Sequence, residues 1–184
     1  IVHGTTITVL NACRMLKGDD KTTKGKLFVT AGLGGMSGAQ PKAGNIAGVV
    51  TICAEVNATA AHKRQSQGWV DEVIENVDAC IDAAQAWQKK GEAHSIAFLG
   101  NVVDLWERLA ERKVKVDLGS DQTSLHNPWA GGYYPAGLSY EESNVLMAKD
   151  PATFRTKVQE TLRRHVDAVN TLTEAGMYFF DYGN

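Results

Sequence analysis

From Lys26 onward, short runs of strand-forming apolar residues alternate with longer stretches of helical spacing. Leu27-Phe28-Val29-Thr30-Ala31, Val49-Val50-Thr51-Ile52-Cys53-Ala54, Ser95-Ile96-Ala97-Phe98-Leu99-Gly100, Val114-Lys115-Val116-Asp117-Leu118 and Met177-Tyr178-Phe179-Phe180 predict five strands. Between them, residues 39–47, 58–67, 77–90, 103–112 and 154–174 read as helices. The clearest is 77–90, with Val77, Ile81, Ala84 and Trp87 on one face and Gly91 placed to end it. Leu105, Trp106 and Leu109 give the 103–112 helix its inward stripe. Residues 5–16 also fit a helix, with Ile7, Leu10, Ala12 and Met15 loosely on one side.

The punctuation agrees with this reading. Pro41 is tolerable only in the first turn of its helix. Ser139-Tyr140-Glu141-Glu142 has capping-box spacing, Asp150-Pro151 supplies an N-cap followed by proline, and Gly176 closes the last helix. Residues 119–137 show no periodicity and are rich in Gly, Asn, Pro and Tyr, a length of irregular chain that usually serves function. Strand, glycine turn, helix, strand is the unit of a parallel sheet. The expected fold is therefore α/β: a Rossmann-like open, mostly parallel sheet of about five or six strands, with helices on both faces. It forms one domain over residues 1–184, into which an N-terminal helix and turn, residues 1–25, lead.

Composition narrows the partners. A 184-residue chain that is 43% hydrophobic, with net charge -2 and pI near 6.2, has no basic face for nucleic acid or an anionic membrane. No apolar run reaches the roughly 18 residues of a membrane span. Cys13, Cys53 and Cys80 are widely spaced and odd in number, which argues against a disulfide framework or a zinc site and for a reducing, cytoplasmic setting. His3, His62, His94 and His165 fall singly, in no metal-ligand spacing, and read as bystanders. The chain opens without Met and on no signal-like segment, and it stops just after a strand-like run, so we expect a piece of a longer protein or a processed start.

The chemistry concentrates after the first strand. Gly32-Leu33-Gly34-Gly35-Met36-Ser37-Gly38 lies between a strand and a helix, where backbone N–H groups approach a pyrophosphate. A strict fingerprint would carry Gly or Ala where Ser37 stands, with Gly38 one step later. Glu55 ends the second strand about 20 residues beyond, where an acid accepts ribose hydroxyls and repels a 2′-phosphate, favouring NAD over NADP. No G-x-x-x-x-G-K-[ST] occurs. Gly100-Asn101 and Asp121-Gln122-Thr123-Ser124-Leu125-His126-Asn127 follow the third and fourth strands, at the same carboxyl edge. His126 invites a reading as a base, but nothing pairs with it recognisably.

Taken together, Gly32 to Pro41, Gly68-Trp69-Val70-Asp71, Leu99-Gly100-Asn101, Asp121 to His126, Gly132-Tyr133-Tyr134-Pro135-Ala136-Gly137 and Phe180-Asp181-Tyr182-Gly183-Asn184 resemble the urocanate hydratase family, in order and over essentially the whole chain. The Gly131-Gly132-Tyr133-Tyr134 form resembles its eukaryotic branch. The resemblance implies a full-length lyase that adds water to urocanate to give imidazolone propionate in histidine degradation. NAD⁺ would serve as an electrophile rather than a hydride acceptor. It implies cofactor contacts at Gly34, Gly35, Met36 and Ser37, at Glu55, at Asn101 and Val102, at Gln122, Thr123, Ser124, Leu125 and His126, at Tyr133 and Tyr134, and at Tyr182. An arginine of the family falls on Ala60, which leaves open whether Lys63 or Arg64 replaces it. The family's catalytic cysteine and urocanate-binding residues lie outside this chain, and no cysteine here matches that cysteine. The piece alone is thus expected to bind NAD without turnover, and the full enzyme to be a homodimer. Two alternatives are an NAD-dependent dehydrogenase domain, which the glycine turn and Glu55 equally permit, and a binding module whose polar loops meet a protein.

Overall fold

The computed structural model describes residues 1–17, 22–121 and 127–181. In chain order the elements are α1 (Val2–Met15), β1 (Leu27–Ala31), α2 (Ala39–Ala47), β2 (Val50–Glu55), α3 (Ala58–Ser66), β3 (Glu72–Ile74) and α4 (Val77–Lys90). They continue with β4 (His94–Leu99), α5 (Val102–Glu111), β5 (Leu118–Ser120), a 3-10 turn (Pro128–Ala130), α6 (Tyr140–Lys149), α7 (Pro151–Glu174) and β6 (Tyr178–Phe180). The six strands form one parallel sheet in the order β3-β4-β2-β1-β5-β6. With β3 set aside as an edge addition, the chain winds outward from β1 first through β2 and β4, then on the other side through β5 and β6. That is doubly wound topology, with its switch at β1.

Strand alternation explains the layers. Val50, Ile52 and Ala54 of β2, with Leu27 and Val29 of β1 and Ile96 and Phe98 of β4, face α4, α5 and α7 in the larger core. The intervening Cys53 and Ala97 face α3, and Phe28 and Leu118 face α1 and α2. Both faces are thus covered, as a parallel sheet requires. Trp106, Leu105 and Leu109 of α5 are fully buried in the larger core, and Leu172 of α7 is nearly so. On the other face α2 lies so close to β2 that a Cβ on Gly44 would stand 2.0 Å from Thr51 Oγ1.

Termini and caps follow the sequence closely. Asn57, Asn76 and Asn101 cap α3, α4 and α5. Ser139 and Glu142 form the capping box of α6, Asp150 accepts from Thr153 N–H with Pro151 following, and Gly91 adopts the left-handed conformation that ends α4. The differences lie in the strands. β3 was not expected, because three half-buried residues, Glu72-Val73-Ile74, give too short a run to register. The fourth expected strand, 114–118, is displaced to Leu118–Ser120, and the fifth starts at Tyr178 rather than Met177. Val114 and Val116 are buried in the core without pairing, after a reversal at Lys113 with φ 51°. Burial alone accounts for their apolar character. The first helix starts at Val2, and the 119–137 segment includes the end of β5 and the 3-10 turn.

Candidate functional site

At the carboxyl ends of β1, β2 and β4 the chain opens into a cleft of about 310 Å³. Its floor begins where β1 gives way to Gly32, whose φ of +91° turns the chain and whose N–H donates to Ala54 O at 2.8 Å. From there Leu33 to Gly38 leads into α2. The carboxylate of Glu55 holds this turn from the end of β2: Oε2 accepts from Leu33 N–H at 2.7 Å and Oε1 from Asn57 N–H at 2.9 Å. Each carboxylate oxygen has two lone pairs, so both keep capacity for a further donor.

Arg64 of α3 braces the outer side of the same turn. Its guanidinium donates to the carbonyls of Leu33 at 3.1 Å, Gly34 at 2.5 Å and Gly35 at 3.3 Å, and it lies 5.0 Å over the Trp69 ring. The approach depends on Gly38, where a Cβ would come within 2.3 Å of Arg64 Nε and 2.7 Å of Gly34 O. This packing gives Gly38 its reason, one place beyond the strict motif. With those carbonyls drawn to Arg64, the N–H groups of Gly34, Gly35, Met36 and Ser37 donate to no other described residue. Four consecutive amides at the start of a helix make an anion cradle.

The walls come from the ends of β4 and the 131–134 segment. Asn101 accepts from Val103 N–H at 3.0 Å and donates to Tyr134 O at 2.8 Å, so one side chain caps α5 and ties the two walls together. Tyr134 donates to Asn144 at 3.0 Å and packs on Tyr140, and burial pushes its phenol up to about 12. Tyr133 is buried with its hydroxyl turned to His165, so it offers the cleft only backbone and ring.

Of the residues expected at the site, Gly34, Ser37, Glu55, Asn101, Val102, Tyr133 and Tyr134 line this cleft together. Gly35 and Met36 sit in the turn but not in the lining, and the Met36 side chain is 71% exposed. Gln122, Thr123, Ser124, Leu125, His126 and Tyr182 lie outside the described residues. Lys63 makes no contact with the cleft, and Arg64 meets the turn from behind rather than from the cleft side.

A family model described as the urocanase Rossmann-like domain matches residues 1–184. The chain belongs to that family. It is 55% identical over 185 residues to a probable urocanate hydratase of Caenorhabditis elegans, matching all of this chain and 27% of that protein. It is 52% identical over 189 residues to the urocanate hydratase of Mus musculus, of which it covers 28%, and 36% identical to a probable urocanate hydratase of Halobacterium salinarum, of which it covers 31%. The urocanase domain thus spans under a third of the curated relatives it matches, and its eukaryotic relatives here are the more similar. Those names do not favour the dehydrogenase alternative.

Other polar groups of the urocanase domain fall into place around this cleft or away from it. The three cysteines are buried, and burial pushes each thiol up, that of Cys80 to about 12, so none is poised as a thiolate. Two histidines read as bystanders prove to be partnered. His94 bonds Glu72 at 2.9 Å and stacks on Trp87 at 4.1 Å, while His165 joins Tyr133. Among the described residues, no group of three or more metal-ligating side chains gathers, and no helix is long and apolar enough to cross a membrane.

Proposed function

We propose that this chain is the cofactor domain of a urocanate hydratase and that its cleft holds the adenosine and diphosphate portion of NAD⁺. The observation that carries the reading is Glu55 at the end of β2, which lines one cleft with Gly34 and Ser37 of a turn whose four consecutive backbone N–H groups, 34 to 37, donate to no other described residue. The cradle suits the diphosphate and Glu55 suits the adenosine ribose, since its carboxylate retains acceptor capacity and a negative charge that opposes a 2′-phosphate. The volume lies at the low end of small-molecule sites, about 300–1,000 Å³, which matches part of a dinucleotide rather than all of it. The nicotinamide end is assigned to the far side of the β1 switch, toward the carboxyl end of β5.

When bound, NAD⁺ supplies an electron-poor pyridinium that accepts electron density from the substrate in the full-length enzyme, which acts on urocanate. This chain's own residues bind and orient. The turn cradles charge, Arg64 holds the turn's carbonyls away from the anion, Glu55 fixes the ribose and Asn101 holds the wall. Calorimetric titration with NAD⁺ and NADP⁺ tests this reading. NAD⁺ should bind and NADP⁺ should bind far more weakly. Glu55→Ala should weaken NAD⁺ at least about tenfold, as loss of one charge-assisted bond of about 1.5 kcal/mol requires, and Glu55→Gln should narrow the gap between the two dinucleotides. Equal binding of both, unaffected by Glu55, would overturn the assignment.

A further inference from the structure

Behind the cleft wall, buried His165 links the hydroxyl of buried Tyr133 to half-buried Asp121, a series of contacts that the cofactor reading does not use. His165 of α7 is buried; its Nδ1 lies 3.0 Å from Tyr133 Oη and its Nε2 lies 3.5 Å from Asp121 Oδ2. Asp121 is the residue at which the chain leaves β5 for 122–126, and Tyr133 belongs to the wall. Geometry fixes the roles. The Asp121 carboxylate facing Nε2 can only accept, so the neutral ring carries its proton on Nε2, and Nδ1 is left to accept from the Tyr133 O–H. A protonated ring would carry hydrogens on both nitrogens and force the Tyr133 O–H to turn away.

We infer that His165 is a positioning residue for the dinucleotide cleft, tying the carboxyl end of β5 through Asp121 to the wall through Tyr133. The inference rests on the reading of the cleft as a dinucleotide site. Its anchorage is firm: His165 belongs to a helix packed against α5, and its ring lies 6.4 Å from that of fully buried Trp106. The charged groups facing it are few. Asp121 approaches from the β5 end; the neighbouring Arg164 pairs with Glu107 at 2.7 Å and Asp104 at 3.4 Å on α5, so that cation is already compensated. Burial disfavours the imidazolium and pulls the ring below its ordinary 6.5, with Asp121 opposing, so the neutral arrangement holds at physiological pH.

The test measures NAD⁺ affinity of the 184-residue chain against pH for wild type and three variants. His165→Asn keeps an acceptor near Nδ1, His165→Gln keeps a donor near Nε2, and His165→Leu keeps neither. Wild-type affinity should stay flat down through pH 6.5 and fall only at lower pH, where the buried ring takes up its proton, and the Asn variant should lose that component of the pH profile. At pH 7.5 His165→Leu should bind about tenfold more weakly, with Asn and Gln each recovering part of the loss. A His165→Leu chain that unfolds at a lower temperature yet binds NAD⁺ as tightly as wild type would overturn the inference, as would an Asn variant with the wild-type pH profile. Failure of the wild-type chain to bind NAD⁺ at any pH would instead overturn the reading of the cleft and this inference with it.

Discussion

Gly38→Ala is a small change with a large expected effect. The backbone at Gly38, φ -57° and ψ -11°, is one an alanine adopts without strain, so any cost must come from the new methyl. That methyl would meet Arg64 Nε at 2.3 Å, Gly34 O at 2.7 Å and Arg64 Cζ at 2.8 Å. Arg64 must withdraw or the Gly34 peptide must move, and either breaks part of the set of bonds from the guanidinium to three carbonyls. With about 1.5–3 kcal/mol for a bond to a charged group, reduced because this guanidinium is only half-buried, and about 1–3 kcal/mol for overpacking, the loss should be about 2–4 kcal/mol. At roughly 2–4 °C per kcal/mol for a chain this size, Tm should fall by roughly 5–15 °C. Thermal unfolding followed by circular dichroism on wild type, Gly38→Ala, Arg64→Met and the double variant forms a cycle. The double variant should lose clearly less than the sum of the singles, because the methyl and the guanidinium compete for one space. A Gly38→Ala chain as stable as wild type, or strict additivity, would refute the brace.

Three further outcomes follow from the same contacts. Trp106→Ala should cost about 3–5 kcal/mol in urea denaturation, whereas Trp106→Phe should cost under about 1.5 kcal/mol, because the buried indole N–H has no partner among the described residues and its removal offsets lost packing. Asn101→Ala should lower stability by about 1–2 kcal/mol through the lost cap and weaken NAD⁺ binding through release of Tyr134, while Asn101→Asp should keep the cap but not the bond to the Tyr134 carbonyl. Asp71 pays for burial but accepts from Ser95 N–H, Ser95 Oγ and Asn45 Nδ2, each at 2.8 Å, with His94 nearby, and its carboxyl is held below 3.8. Its contribution is present above that value and lost as pH falls through the folded one, so Asp71→Asn should flatten the acid side of a plot of urea midpoint against pH.

The doubly wound core was legible because β1, β2 and β4 are buried on both faces and read as mainly apolar runs, and because the end signals at Ser139, Asp150 and Gly91 are local chemistry. The position of Glu55 was legible for the same reason, since a strand end and a glycine turn fix it. β3 was not, because its three residues gain their strand character from β4 rather than from their own pattern. Val114 and Val116 misled in the opposite way: buried valines look like a strand whether or not a ladder forms. The partners of Arg64 and His165 were hidden by distance along the chain. Arg64 acts on a turn some thirty residues away, and His165 meets Tyr133 across 32 positions. A lone basic side chain on a polar helix carries no trace of such a partner.

The most direct test of the central claim is a crystal structure of this chain grown with saturating NAD⁺. The account predicts the adenosine ribose hydroxyls within hydrogen-bond reach of the Glu55 carboxylate and the diphosphate over the N–H groups of Gly34 to Ser37, between the turn and the Asn101–Tyr134 wall. A dinucleotide bound elsewhere, or a cleft without one at saturation, would contradict it.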